Sequence, residues 1–157
     1  CIRDRYYAMV SPVMIDAKNP LYSVNGVFNA IFIHGNVLGD AMFYGSGAGK
    51  LPTASAVVAD VVDCAKNKGR NIMMSWSEEK LDLLQIDDVK SRFFVRVSGH
   101  AAERQSEIEE LFGKVEIVAV PSLSEEFAFI TGEITEQEYR EKAEKLDGIQ
   151  SRIRARI

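Results

Sequence analysis

Hydrophobic and polar residues in the first part of the chain follow the pattern of strands. Aromatic and β-favouring residues dominate 5–15, 27–35 and 39–45, which predicts three strands, the first interrupted or bent at Pro12. Gly35, Asn36 and Gly39 are typical turn residues, so the second and third strands are expected to form a hairpin. From Pro52 the period becomes helical, with an apolar stripe that consists of Val57, Val58, Val61, Val62 and Ala65.

The second part of the chain predicts a regular order of strands and helices. Strands are expected over 92–97, 114–120, 126–132 and 151–157. In the last of these, isoleucine and alanine alternate with arginine, which predicts one buried face and one face that is wet or paired with acidic groups. The two helices are indicated by the apolar stripes Ile108, Leu111 and Phe112, then Tyr139, Ala143 and Leu146.

The start of the second of these helices carries a specific signal. Thr135 is followed three residues later by Glu138, which predicts a capping box in which each side chain caps a free backbone amide. The resulting order of elements is βαββαβ, the order of a ferredoxin-like sandwich. The predicted fold class is therefore α+β, with a mixed or antiparallel sheet and helix over 1–70, a connector over 71–90 and a ferredoxin-like domain over 91–157.

Composition and charge narrow the possible functions. The net charge is -4 and no basic stripe is present, which argues against a nucleic-acid partner. No apolar run approaches the roughly 18 residues that span a bilayer, so no membrane segment is expected and the protein is predicted to be cytoplasmic. Cys1 and Cys64 lack metal-type spacing and are expected to be reduced and structural, Cys64 within the apolar helix stripe.

One face of the predicted second sheet is apolar where solvent would be expected. The strand alternation points Phe94, Val118, Val120 and Ile130 away from the helices. Such a face usually meets a partner, and the simplest closed outcome is a homodimer. The alternative is that this face packs on the connector over 71–90 within one chain.

A glycine-rich loop, Gly45-Ser-Gly-Ala-Gly-Lys50, lies between a predicted strand and a predicted helix. It is not a P-loop, because Leu51 follows the lysine and Tyr44 stands where the first glycine is needed. It is not a Rossmann fingerprint, because Lys50 occupies the third glycine position and no parallel βαβ unit follows. From spacing alone, two interpretations stay open: a loop that touches a ligand held mainly elsewhere, or a simple strand-to-helix turn.

Residues 19–63 resemble the end of the catalytic domain of homoserine dehydrogenases. The resemblance is carried by Asn-x-Val-Phe-Asn-Ala at 25–30, Phe-Tyr-Gly-x-Gly-Ala-Gly at 43–49 and Pro-Thr-Ala-Ser-Ala-Val at 52–57. It implies an enzyme that interconverts L-homoserine and L-aspartate 4-semialdehyde in threonine, methionine and isoleucine biosynthesis, with NADP or NAD as cofactor. It also implies that the glycine loop contacts the cofactor, through Gly47, Ala48 and Gly49.

The same resemblance sets a limit on the site. The family's nucleotide-binding domain, cation site and catalytic residues correspond to sequence before residue 1, and the chain begins at Cys1 rather than Met. No catalytic residue and no metal ligand is therefore assigned here, and the chain is expected to be part of a longer protein. Most of the cofactor contacts are expected in the upstream part.

Residues 91–157 resemble the regulatory ACT domain in the order of their elements and in Phe-Phe-Val-Arg-Val at 93–97. Amino-acid-binding members carry an Asp-x-Pro-Gly turn after the first strand. Here Ser98 to Glu103 replace it, with Glu103 at the expected glycine. Because that carboxylate would repel a carboxylate ligand, threonine is not expected to bind at this loop. The alternative function of the chain is a non-catalytic ACT-type ligand-binding or dimerisation module.

Overall fold

A computed structural model describes residues 5–70 and 75–157 of the chain. The described backbone forms two compact units, one made of residues 5–16 with 80–157 and the other of residues 17–70 with 75–79. We call them the sheet unit and the hairpin unit. Cys1, for which a reduced state was predicted, lies outside the described residues.

The sheet unit contains eight strands and two α-helices among its described residues. Its strands are β1 Arg5–Tyr6, β2 Val13–Ile15, β5 Asp82–Leu83, β6 Lys90–Ser98, β7 Glu116–Val118, β8 Glu126–Ile130, β9 Ile134–Thr135 and β10 Ile149–Arg156. Its helices are α2 Ala101–Phe112 and α3 Glu136–Ala143, with a short 3-10 helix at Ile86–Asp88. The predicted order βαββαβ corresponds to β6-α2-β7-β8-α3-β10.

The main sheet has the spatial order β2-β10-β6-β8-β7, and β9 extends β6 at its start. The three pairs among β10, β6, β8 and β7 are antiparallel, whereas β2 adds to β10 in parallel. The order of the four predicted strands is therefore fourth, first, third, second. The α+β class with a mixed sheet is confirmed.

Both helices cover one face of this sheet and form the core with it. Phe93, Val95 and Val97 of β6 are buried on that face. They pack with aromatic and aliphatic side chains of α2, β8, α3 and the turn after α3, namely Ile108, Phe112, Phe127, Phe129, Tyr139 and Leu146. Burial raises the pKa of the Tyr139 phenol. The predicted stripes of both helices are thus confirmed by their packing.

The arginines of β10 lie on the same face as this core. Cross-strand partners share a face, and Arg152 pairs with Val95 while Arg154 pairs with Phe93. Their guanidinium groups meet Glu136 at the start of α3, whose side chain is only 7% exposed. The predicted pairing of this strand's arginines with an acidic group is confirmed.

The hairpin unit consists of a 3-10 helix at Pro20–Ser23, strands β3 Phe28–Gly35 and β4 Gly39–Ser46, and helix α1 Lys50–Lys66. β3 and β4 pair along their whole length, from Phe28 with Ser46 to Gly35 with Gly39, as the hairpin prediction required. None of the α1 residues is buried. Cys64 is a free, exposed thiol in α1, so its predicted structural role in a packed stripe is not realised in this chain.

The single strand predicted over 5–15 is two short strands in the structure, β1 and β2, and both belong to the sheet unit. Arg5–Tyr6 pair with β5, while Val13–Ile15 join β10, on the two sides of the segment that holds Pro12. The predicted boundary near residue 70 therefore differs from the compact units, because residues 5–16 associate with the second sheet rather than with the hairpin that follows them. The sequence alone gave no sign of this pairing partner.

Candidate functional site

The glycine loop joins the end of β4 to the start of α1. Gly45 and Ser46 are the last residues of β4, and Gly49 is the residue that precedes the first helical residue, Lys50. The loop is therefore one turn of backbone between a strand and a helix of 17 residues. This is the local arrangement in which backbone amides at a helix start point at a ligand.

The three glycines of the loop differ in backbone conformation and in the space that a side chain would find around them. Gly49 has φ +119°, a backbone conformation that residues with a side chain rarely adopt. At Gly45 a Cβ would meet no atom within 4 Å, so the space above it is open. At Gly47 the backbone would accept a side chain, but a Cβ would lie 2.2 Å from the side-chain nitrogen of Asn29. A Cβ at Gly49 would make ordinary contact with Pro52 at 3.5 Å, so among these three glycines only Gly47 shows a close clash.

Asn29 lies on β3 directly opposite Gly45. Its row on β3 continues with Ile31 and Ile33, so Asn29 is the polar member at the end of an apolar row that ends at the loop. Its carboxamide fills the space that a Gly47 side chain would need. Asn29 is exposed, and within the described part of the chain its side chain makes no hydrogen bond.

The electrostatics of the loop favour an anionic or polar ligand. Gly49 offers no side-chain cap, and the first turn of α1 contains no acidic residue. Lys50 adds a positive charge at the first helical position. The helix dipole and the uncapped amides of the first turn therefore both favour negative charge at this end of α1.

A shallow cavity of about 350 Å³ lies elsewhere, beside Tyr139, while the loop itself borders one of about 270 Å³. The latter is formed entirely within the hairpin unit. Residues of β3, of β4 and of the glycine loop form its walls, namely Asn29, Ala30, Ile31, Phe43, Tyr44, Gly45, Ser46 and Gly47. One cavity thus contains both the open space above Gly45 and the unpaired amide of Asn29.

The second loop of interest follows β6 in the sheet unit, at the place where an ACT-type ligand would be expected. Gly99 has φ +103°, and His100 precedes the first residue of α2. Arg104 donates hydrogen bonds to the carbonyl oxygens of Ser98 and Asp147, both at 2.9 Å, and pairs with Glu107 at 3.1 Å. The loop is therefore tied by a side chain of its own helix.

The turn before β10 packs equally tightly on this loop. The amide of Ser98 donates to the carbonyl of Gly148 at 3.0 Å. A Cβ at Gly148 would lie 2.4 Å from the Ser98 hydroxyl oxygen and 3.1 Å from an Arg104 guanidinium nitrogen. The carbonyl oxygens of Ser98, Asp147 and Gly148 therefore already accept hydrogen bonds within this loop region.

Other residues with possible chemistry are placed as follows. His34 and Asp40 form a side-chain hydrogen bond of 2.5 Å across the hairpin, a contact that the sequence analysis did not foresee, and both are exposed. Over residues 5–70 and 75–157, no group of three or more His, Cys, Asp or Glu side chains is arranged to hold a metal ion. In the same ranges no helix is long and apolar enough to cross a membrane.

The structure brings Gly47, Ala48 and Gly49 together with Asn29, whereas sequence reasoning named only the first three. The hairpin register could have found Asn29, because a turn centred on residues 36–38 places it opposite Gly45. Arg104 was missed as well. Its role depends on contacts with Asp147, 43 positions away, for which the sequence carries no local signal.

Comparisons with known proteins agree on one class. Residues 2–62 match the family model described as homoserine dehydrogenase. The homoserine dehydrogenase of Lactococcus lactis is 42% identical over 94 residues, which cover 58% of this chain and 22% of that protein. That of Corynebacterium glutamicum is 54% identical over 61 residues, 39% of this chain and 14% of that protein. The chain thus spans about a fifth or less of these relatives' length.

Solved structures show that the fold is shared with dehydrogenases. The crystal structure of a homoserine dehydrogenase from Thiobacillus denitrificans superposes with a TM-score of 0.71 at 24% identity and covers 93% of this chain and 38% of that one. One from S. aureus gives 0.68 at 24% identity, with 93% and 37% covered. The resemblance of residues 19–63 to homoserine dehydrogenases is confirmed, and the matched region contains the glycine loop.

Proposed function

We propose that this chain is the carboxy-terminal part of a homoserine dehydrogenase, an enzyme that interconverts L-homoserine and L-aspartate 4-semialdehyde with NADP or NAD. The observation that carries this proposal is the match of residues 2–62 to that family, in the segment that holds the glycine loop between β4 and α1. A non-catalytic ligand-binding or dimerisation module is not favoured, because such a module would not need this segment of a catalytic domain.

Within that enzyme the glycine loop contributes one wall of the cofactor site, through Gly47, Ala48 and Gly49. The residues present fit a nicotinamide cofactor, because the space above Gly45 is open and the uncapped start of α1 favours its negatively charged diphosphate. The cofactor itself supplies the hydride chemistry. This chain's own contribution is to bind and orient it, while the upstream part of the protein holds most of its surface.

The exposed apolar surface of the hairpin unit supports the same proposal. Two antiparallel strands are marginally stable alone, and both outer edges of this hairpin lack a neighbour among the described residues. Phe43 is 64% exposed, and the valine stripe of α1 is open to solvent as well. Such a surface requires further strands and side chains, which the remainder of a longer catalytic domain would supply.

The sheet unit is proposed to be the ferredoxin-like ACT-type domain of this enzyme, with an assembling role. Its strand order and its helices on one face support that assignment. On the other face, Phe94, Val118, Val120 and Leu123 border a groove of about 80 Å³ that the paired Arg96 and Glu126 also line. We propose that this face forms a contact of a cytoplasmic homodimer, and that threonine is not bound at the tied loop Ser98–Glu103.

An activity assay tests the proposed function. The full-length protein that contains this sequence is expected to oxidise homoserine with NADP or NAD, with formation of the reduced cofactor followed at 340 nm. The isolated 157-residue chain is expected to show no turnover and no measurable cofactor affinity, because one loop supplies too few contacts to offset the cost of association. A full-length protein without this activity, or an active isolated chain, would contradict the proposal.

A further inference from the structure

We propose that Asn29 is a cofactor-positioning residue, whose carboxamide holds the glycine loop open and donates a hydrogen bond to an oxygen of the bound nicotinamide cofactor. This inference rests on the proposed function, since it takes the ligand of the loop to be that cofactor. It adds a side chain on β3 to a site that sequence reasoning limited to the loop itself.

The first step of the argument is steric. Gly47 has no left-handed backbone conformation, so its glycine is not required by φ. What excludes a side chain there is Asn29, whose side-chain nitrogen, Cγ and Cβ would lie 2.2, 3.1 and 3.4 Å from a Cβ at residue 47. The side chain of Asn29 therefore lies directly against Gly47, and a side chain at residue 47 would displace it.

The second step concerns the cost of asparagine at this place. Asparagine is depleted in strands, and its row on this face otherwise contains Ile31 and Ile33, opposite Phe43 and Ala41. Nothing in the hairpin's own stability calls for an amide at the end of that row. Residues that break a local rule in this way are expected where a site needs them.

The third step is the unused hydrogen-bonding capacity. A carboxamide has two donor hydrogens and an acceptor oxygen. The side chain of Asn29 makes no hydrogen bond to any described residue, although it is packed against Gly47 and borders the cavity above Gly45. The amide thus lines the cavity that the glycine loop borders, and no acidic side chain of the first turn of α1 competes for it.

Two variants of Asn29, one truncated and one isosteric, separate positioning from mere packing. In the full-length enzyme, Asn29→Ala is expected to raise the cofactor dissociation constant about tenfold, the effect of one lost hydrogen bond, with homoserine KM within about twofold of the wild type. Asn29→Asp keeps the shape but places a negative charge beside a negatively charged cofactor. It is expected to bind more weakly than Asn29→Ala, and added salt is expected to reduce that difference.

The measurement is a fluorescence titration of each variant with the reduced cofactor, beside steady-state kinetics and a melting curve. Asn36→Ala, in the exposed hairpin turn, is the matched control and is expected to leave all values unchanged. If Asn29→Asp binds cofactor as well as the wild type or better than Asn29→Ala, the inference is overturned. If Asn29→Ala lowers the melting temperature and raises both Michaelis constants equally, the role is structural and the inference is likewise overturned.

The same set of proteins distinguishes this failure from a failure of the proposed function. Wild-type turnover with homoserine, together with a damaging Gly49→Val, would uphold the proposed function even when Asn29→Ala and Asn29→Asp are neutral. In that case only the assignment of Asn29 is wrong. An inactive wild-type protein would instead refute the proposed function and with it the ligand on which the inference depends.

Discussion

The carboxylate of Glu136 accepts a hydrogen bond from the guanidinium of Arg154 at 2.6 Å, across the interface between α3 and β10. Arg152 approaches the same carboxylate at 2.9 Å and lies over the Phe93 and Tyr139 rings, with 5.4 and 4.6 Å to the two centroids. Arg154 also donates to the Ser11 hydroxyl at 2.9 Å. One buried acid therefore joins α3 to the last strand, and Arg154 extends the network to the segment that carries β2.

Replacement of this acid is expected to destabilise the sheet unit. Glu136→Ala leaves two guanidinium groups without their partner. Because Arg152 is partly exposed, water can solvate its guanidinium group once the acid is gone. The free energy of unfolding is therefore expected to fall by about 2 kcal/mol, less than for the loss of one member of a fully buried ion pair. Urea denaturation of the 157-residue chain measures it. Glu144→Ala, an exposed acid at the end of the same helix, is the control, and an equal effect of both would refute the role of the buried pair.

The capping box of α3 predicts a pH dependence. The amide of Thr135 donates to Glu138 at 2.8 Å, and the amide of Glu138 donates to the Thr135 hydroxyl at 3.1 Å. The backbone hydrogen bond from Thr135, followed by that from its side chain, lowers the pKa of Glu138 below 4.5. This contribution to stability is therefore present above pH 4.5 and is lost as the pH falls through the lowered pKa.

Glu138→Gln is expected to remove the loss of stability that protonation of Glu138 causes when the pH falls. Denaturation midpoints at pH 7, 4.5 and 3 measure it, and the difference between wild type and variant should shrink towards low pH. Glu141→Gln, on the exposed side of the same helix, serves as the control. A constant difference over the whole range would show that Glu138 is not bound as a carboxylate.

On the proposed function, Gly49→Val in the full-length protein is expected to weaken cofactor binding tenfold or more, which corresponds to a strain of about 1.5 kcal/mol. A branched side chain is strained at φ +119° and would also fill space at the start of α1. Cofactor KM and the melting temperature are measured together. Gly69→Ala, at a positive-φ glycine beyond the end of α1, tests whether backbone strain alone produces the effect.

The apolar outer face of the sheet unit is expected to mediate self-association of the chain. Val120 and Leu123 are about half exposed there, whereas Ile130, predicted to share this role, is only 3% exposed and contributes little further area. Burial of such side chains yields about 25 cal/mol per Å². Val120→Asp should therefore weaken the dimer seen by sedimentation, while Ala102→Asp on the helix side should not. A wild-type monomer at high concentration would contradict this interface.

Threonine at millimolar concentration is expected to give no saturable heat in calorimetry with the chain. Arg104 already binds the Ser98 and Asp147 carbonyls, and Glu103 adds a negative charge at the first turn of α2. A like-charge repulsion of about 1 kcal/mol lowers affinity several-fold. Saturable binding to the wild type would contradict this prediction. If Arg104→Ala abolished that binding, Arg104 would be a contact of the ligand.

The sequence by itself determined the local elements. Alternation and turn residues predicted the hairpin, helical periodicity predicted the three helices, and Thr135 with Glu138 predicted the cap, because each depends on residues only a few positions apart. The glycine loop was found in the same way. Its family resemblance came from a continuous stretch of chain, in which spacing is preserved without knowledge of the fold.

Only the tertiary structure decided which distant residues meet. That β2 joins β10, that Arg104 closes the loop after β6, and that Glu136 collects Arg152 and Arg154 depend on packing between segments far apart in the chain. The tertiary structure also distinguished Gly45, Gly47 and Gly49 from one another, because backbone φ and the neighbouring atoms depend on the folded conformation. Local pattern fixes which face of an element is apolar, but the contacts that cover it are chosen by the global minimum of packing and hydrogen bonding.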